Sequence, residues 1–356
     1  METKMQITIQ ALTPIWTGGM NGTMHRIHET GIIGGLRWWY EAMLRALGVK
    51  VCDPLSRENG QGCQFDANDS RSPEEQLCAA CLLFGCTGWR RRFQLRVNGA
   101  GKPAWSPPPR GLNVRPPDRN RGWFLLPGHV GEATLNFTGD SDALNDIGGL
   151  LLFLEQWGTI GAKPQLGYGV FRIMDDQERE RLSRHAENFQ NPRGETRKTT
   201  ALPDLREIVF FRFDFSPSGK NWWSRVSGLE RLMGQGDTAR ALSRLAALNM
   251  IPVAPALKNA WRYGAWERIP AEREVFGTTS HDRIRSKIAV SWAYKTPDAW
   301  RVRGWAWLPS SLPKQARGAV MERIENKTVW RKILNAPMGD ARLTAGLDAL
   351  GQLKGA

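Results

Sequence analysis

The chain has 356 residues, which suggests two domains with room for a core in each. Its 49 Lys and Arg against 35 Asp and Glu leave a net charge of +14, carried by 36 Arg and only 13 Lys alongside 16 Trp; guanidinium forks and flat rings favour a polyanionic partner, most simply nucleic acid. No apolar run approaches the ~18 residues of a membrane span, METKMQITIQ lacks the pattern of a secretory leader, and five cysteines make no disulfide framework, so a cytoplasmic protein is expected.

Met5, Ile7, Ile9 and Ala11 alternate with polar neighbours, which predicts a half-buried strand. Thr30 stands at an N-cap position ahead of GIIGGLRWWYEAMLRALG. There Leu36, Tyr40, Met43 and Leu47 fall at helical spacing, Arg37–Glu41 and Glu41–Arg45 are four apart, and Gly48 ends the run. Phe93, Leu95 and Val97 alternate as a second strand, and Ala133, Leu135 and Phe137 as a third. A second helix from Ser141 to Trp157 carries Leu144, Ile147, Leu151 and Leu154, and a strand from Val170 to Ile173 closes the half. The order β-α-β-β-α-β predicts an α+β, ferredoxin-like (RRM-like) domain over 1–175.

Residues 176–204 turn charged and then Pro/Gly-bearing, which reads as a connection. The second half, 205–356, restarts with a strand bearing Val209, Phe211, Phe213 and Phe215. Helical stretches follow around 222–233, 238–249 and 255–263, then strands at Lys287–Trp292 and Arg301–Leu308 and a helix at Lys314–Leu334. Its closing strand is not evident. LLFGCTGWRRRFQLRV near residue 90 parallels EVFGTTSHDRIRSKIAV near residue 283, and GGLRWWYEA parallels PALKNAWRY. The first copy holds about 29 more residues between these motifs, with four of the five cysteines among them. Two tandem ferredoxin-like domains, the second divergent and the first bearing a cysteine insertion at about 49–82, account for the pattern.

Cys52, Cys63, Cys78 and Cys81 are the sharpest local signal, since a CxxC lets two thiolates face one cation and the other pair completes a tetrahedron. The stretch between them has too few apolar residues for a core, and a structural Zn²⁺ would replace one; the competing reading is unrelated cysteines with a chance CxxC. WGTIGAKPQLGYGVFR leaves a helix and enters a strand, so it is neither a P-loop nor a dinucleotide fingerprint. Its glycines suit either a phosphate chain or a turn that packs helix on sheet. A helix C-terminus repels phosphate, so the loop needs its own cation to bind RNA, and Lys163 is the only charged residue between Glu155 and Arg172.

Arg90, Arg91 and Arg92 beside Trp89, and Arg283, Arg285 and Lys287 in the second copy, pair cations with rings as single-stranded RNA binding requires. Arg26, Lys258 and Arg262 complete the basic residues read as RNA contacts. Residues 101–122, with six prolines and four arginines, read as an extended basic arm or a disordered segment. His25 and His28 flank Arg26 and could act as acid and base in metal-free RNA cleavage, although loop histidines are more often bystanders.

Taken together, LTPIWTGG, HETGIIGGLRWWYEAMLRALG, CLLFGCTGW and GTIGAKPQLGYGVF resemble the RAMP superfamily of CRISPR effector subunits. Within it they are most similar to the branch that caps the guide-RNA 3′ end in type III-B (Cmr) complexes. The similarity is clear over 8–172 and fainter over 252–292. It implies two tandem ferredoxin-like folds, binding of guide RNA and of target RNA, docking on neighbouring RAMP subunits in antiviral defence, and no cleaving role. By position it places Gly34, Gly35 and Arg37 on the RNA-facing helix start, and Lys163 and Gln165 on the hallmark loop. The second half lacks that loop, and the loop here has Lys-Pro-Gln where many relatives carry arginines. The alternative function is a metal-independent RAMP endoribonuclease that processes guide precursor through His25 or His28.

Overall fold

The structure, a computed structural model, describes residues 2–354 other than 20–21, 54–61, 100, 187–201, 235, 265, 267 and 280–282. In the first half β1 (Thr3–Ala11), α1 (Glu29–Ala46), β2 (Phe93–Asn98), β3 (Glu132–Gly139), α2 (Ser141–Gln156) and β4 (Phe171–Ile173) follow one another. Their sheet runs β2-β3-β1-β4, every neighbour antiparallel. The register sets Met5 opposite Phe137 and Ile7 opposite Leu135. The alternating apolar set therefore lies on one face, where it is buried with Leu36, Met43, Ile147 and Leu151 of the two helices.

Thr30 is not the cap of α1. The helix begins one residue earlier, with His28 in extended backbone at the N-cap and its N–H donated to Thr17 Oγ1 at 2.7 Å. Asp140 caps α2 by accepting from the Ala143 N–H. The segment read as a connection starts as a helix, α3 (Asp176–Ala186), whose Leu182 is buried in the first core and whose Arg179 pairs with Glu155. Residues 187–201 of it lie outside the described residues.

The second half holds β5 (Ile208–Ser216), α4 (Ala254–Tyr263), β6 (Ile288–Val290), β7 (Trp300–Trp307), α5 (Lys314–Glu325), α6 (Lys327–Leu334) and β8 (Met338–Ala345). β8 is the closing strand that the sequence left open. The pairings run β8-β5-β7-β6, all antiparallel, with short strands at Ala293–Lys295 and Met250–Ile251 continuing beside β7. Fourth, first, third, second is also the strand order of the first half. The predicted C-terminal helix is two, divided at Asn326, whose Oδ1 accepts from the N–H groups of Thr328 and Val329 and so caps α6. The stretch read as a helix around 222–233 forms only two 3₁₀ turns. No helix among the described residues is long and apolar enough to cross a membrane.

β5 is buried on both faces. Phe211, Phe213 and Phe215 fill the second core, whereas Phe210 points back at the first half. Phe210 stacks on Trp39 with centroids 5.8 Å apart and meets Trp157 at 5.4 Å, while Trp38 packs on Trp305 at 5.3 Å. Both tryptophans of the Trp-Trp pair in α1 thus join the halves. Residues 101–122 are no free arm. Leu112–Val114 pairs with Trp123–Leu125, and Trp105, Leu112, Val114 and Leu125 are buried in the second core.

Candidate metal centre and nucleic-acid interface

The four predicted cysteines converge. Their sulfurs all lie within 4.8 Å of one another, Cys52 at 3.4 Å from Cys81 and 3.7 Å from Cys78. Tetrahedral Zn–S bonds of about 2.3 Å place sulfurs about 3.8 Å apart, so the spacing fits such an ion. Cys78 precedes the short helix Ala79–Phe84 and Cys81 sits one turn into it, which is how the CxxC brings both sulfurs to one side. The backbone N–H of Cys78 donates to Cys63 Sγ at 3.3 Å, and Arg37 Nη2 donates to Cys81 Sγ at 3.2 Å, the outer bonds that hold thiolate ligands in place. The Cys52 thiol, hydrogen-bonded within the cluster, holds Cys78 well below the ordinary thiol range and pushes Cys81 well above it. Only a cation lets all four ionise together, and the cluster could hold a metal ion. Cys86 stands outside it, its thiol pushed up by burial.

The glycine-rich turn is a packed element with one cation at its rim. Gly161 has φ +80°, and a Cβ there would lie 2.5 Å from the Trp16 carbonyl oxygen, so only glycine fits. Gly167, at φ +93°, would meet Trp292 of the second half, whose indole N–H donates to the Leu166 carbonyl at 2.7 Å. Lys163 is left-handed at φ +61°, with its ammonium 4.2 Å above the Trp16 ring, and burial lowers its pKa. Gly35 of α1 sits against Gly161, a Cβ there lying 3.3 Å from its carbonyl oxygen, while Gly34 faces open space. The hallmark loop and the helix start are therefore neighbours.

The carbonyls at the end of α2 find their donor in the second half. Arg303 of β7, almost fully buried, donates to the carbonyls of Leu154 at 3.2 Å, Gln156 at 2.8 Å and Gly158 at 2.9 Å, and to that of Glu155. Sequence reasoning missed it because an arginine on a strand ordinarily marks a solvent face.

Three residues expected at RNA are engaged by partners within the protein, Lys258 buried and Arg37 and Arg262 half-buried. Arg37 donates to Glu41 at 2.8 Å, to the Gly85 carbonyl at 2.7 Å and to Cys81. Arg262 repeats this in the second half, donating to Glu272 at 2.7 Å and the Gly277 carbonyl at 2.8 Å. The paired Phe-Gly motifs thus serve one structural job, although the second arginine lies one turn later than the sequence alignment placed it. Lys258 is buried and donates to Ser286 Oγ at 3.0 Å, the Ile288 carbonyl at 3.2 Å and the Gln165 carbonyl at 3.3 Å. That bond fastens the hallmark loop to the second half, with the Gln165 backbone as its acceptor.

Other basic residues stay at the surface. Arg90, Arg91 and Arg92 are exposed at the head of β2, with Arg92 committed to Asp140 by two bonds of 2.6 and 2.9 Å. Arg283 and Arg285 are exposed, and Lys287 is half-buried with its ammonium 5.0 Å over the Trp307 ring. Arg26 pairs with Glu29 at 2.8 Å. Arg119, unmarked in the sequence reading, lies 3.5 Å over the Tyr263 ring. His25 and His28 meet edge to face at 4.8 Å, and burial, then Arg26, lowers the pKa of His28, favouring its neutral form.

A mixed α+β chain of two large antiparallel sheets, with a four-cysteine centre and a glycine-rich turn wedged between its halves, is the class of protein these features define. Residues 8–172 match the model of the RAMP superfamily, over the span in which the motifs resemble it. The chain is similar to Cmr1 from Pyrococcus furiosus in its apo form, with 14% identity, 96% of this chain and 98% of that chain covered, and a TM-score of 0.44. No curated protein matches it.

Proposed function

We propose that this chain is a non-catalytic RNA-binding subunit of a type III-B CRISPR ribonucleoprotein, built of two tandem ferredoxin-like units. It holds guide RNA at its 3′ end, contacts target RNA and docks on other RAMP subunits in the cytoplasm. The observation that carries this reading is the RAMP match over 8–172, the span that contains both the hallmark loop and the exposed Arg90, Arg91 and Arg92. The net charge of +14 supports it. RNA affinity is expected to fall steeply with salt. Replacing Arg90, Arg91 and Arg92 with alanine should flatten the slope of log affinity against log salt by about one per lost phosphate contact. Arg92 contributes least, because binding RNA would break its pair with Asp140. An unchanged slope would remove these residues from the interface. Labelled guide precursor incubated with the protein in EDTA should stay intact; cleavage abolished by His28→Ala would establish the nuclease reading instead.

The cysteine centre is read as structural Zn²⁺ held by Cys52, Cys63, Cys78 and Cys81, since four thiolates leave no open coordination position. Elemental analysis of protein purified without added metal should give one zinc per chain, and a Cys78→Ser Cys81→Ser variant should give none.

A further inference from the structure

The cysteine centre is wired to the junction between the halves. Arg37 bonds the Cys81 sulfur at 3.2 Å and shares Glu41 with Arg45, the carboxylate standing 2.8 Å from one guanidinium and 3.3 Å from the other. Arg45, buried in the last turn of α1, reaches the Cys52 carbonyl at 3.5 Å and the Pro203 carbonyl at 2.8 Å. Arg206, held by Asp204, donates to the Arg45 carbonyl at 3.1 Å. One side of this ladder is therefore two residues of the cysteine cluster, and the other is the segment that leads into β5.

The second copy shows which parts the fold itself needs. Arg262 makes the glycine-carbonyl and carboxylate bonds of Arg37, with no cysteine beside it. The bond to sulfur and the relay through Arg45 are additions of the copy that carries the cysteines. A buried guanidinium left without its acceptors is costly, so the state of the cysteine loop must be felt at both ends of the ladder. The stretch between Cys52 and Cys78 has few apolar residues to hold Cys52 and Cys63 in place apart from an ion. Cys81, by contrast, sits on the helix Ala79–Phe84, packed in the first core.

We propose that metal occupancy of the four-cysteine centre governs how firmly the second half is anchored to the first, acting through Arg37, Glu41 and Arg45 on Pro203 and Arg206. This rests on the reading of the cluster as a metal centre. The test is hydrogen exchange by mass spectrometry on the full-length protein, before and after removal of metal by a chelator under reducing conditions, with metal content measured on each sample. Removal should speed exchange of residues 204–208 about tenfold and leave β3, at Glu132–Gly139, unchanged. Arg45→Gln should keep its metal while 204–208 exchanges fast whether or not metal is present. If that variant does not fold, Glu41→Gln removes the carboxylate shared by Arg37 and Arg45 and should behave alike. Metal loss with unchanged exchange at 204–208 would overturn the coupling and leave the metal reading standing. A variant that still responds to metal as the wild type does would also overturn it. Protein that contains no metal and takes up no added zinc would overturn both.

Discussion

Replacing Arg303 with methionine should destabilise the protein by about 3–5 kcal/mol, the scale of breaking a buried charged group's bonds. The last four carbonyls of any α-helix lack partners within it and concentrate its partial negative charge. In α2 the carbonyls of Leu154, Glu155 and Gln156, with that of Gly158 just beyond, all turn to one guanidinium from the other half. Methionine fills much of the volume and offers no donor, so the Glu155, Gln156 and Gly158 carbonyls would lose this partner, while that of Leu154 keeps the Gly158 N–H at 3.1 Å. Lysine would keep the charge but lose the planar fork that reaches several acceptors at once, and should recover only part of the loss. Urea unfolding followed by circular dichroism measures both, and a methionine variant within 1 kcal/mol of wild type would show that water replaces the guanidinium. Because Gly158 opens the glycine-rich turn, the same substitution should loosen Lys163 and weaken RNA binding.

How much of this was legible in the sequence depended on whether a residue's role is local. The first sheet was, because Met5, Ile7 and Ile9 alternate over a long strand and α1 carries a full apolar stripe. The cysteine centre was, because thiolate ligands are a rare residue type at a telling spacing. β8 was not. Its eight residues, MGDARLTA, alternate between exposed and half-buried with none fully buried, since it is an edge strand paired only with β5. The packed segment at 101–122 hid its strands in runs of three residues among prolines, too short for a period to show. Arg37, Lys258, Arg262 and Arg303 share a different cause. A cation in sequence reads as surface, and only tertiary structure supplies the carbonyls and carboxylates that bring it inside.

Lys258 makes that burial measurable as a pH dependence. Desolvation, and then the charge of Arg262, bring its pKa down from 10.5 to about 7, while its ammonium nitrogen still ties Gln165 of the hallmark loop to Ser286 and Ile288. In the unfolded chain this lysine keeps its proton up to its ordinary pKa, and in the folded protein it releases it above about 7. Between those values the unfolded state binds more protons, so this group makes stability rise with pH; below the folded pKa both states are protonated and its penalty is fully present. A pKa gap is worth about 1.4 kcal/mol for each pH step, which gives a rise of about 2–3 kcal/mol between pH 7 and pH 9. Lys258→Met cannot titrate, so its stability should lack this rise. Groups common to both proteins cancel in the comparison. The stability difference between wild type and variant should therefore shift toward wild type by that amount over the window, as read from urea midpoints at pH 7, 8 and 9. A difference that stays constant would mean that Lys258 keeps its proton in the fold, its charge held by the Gln165 and Ile288 carbonyls and the Ser286 hydroxyl.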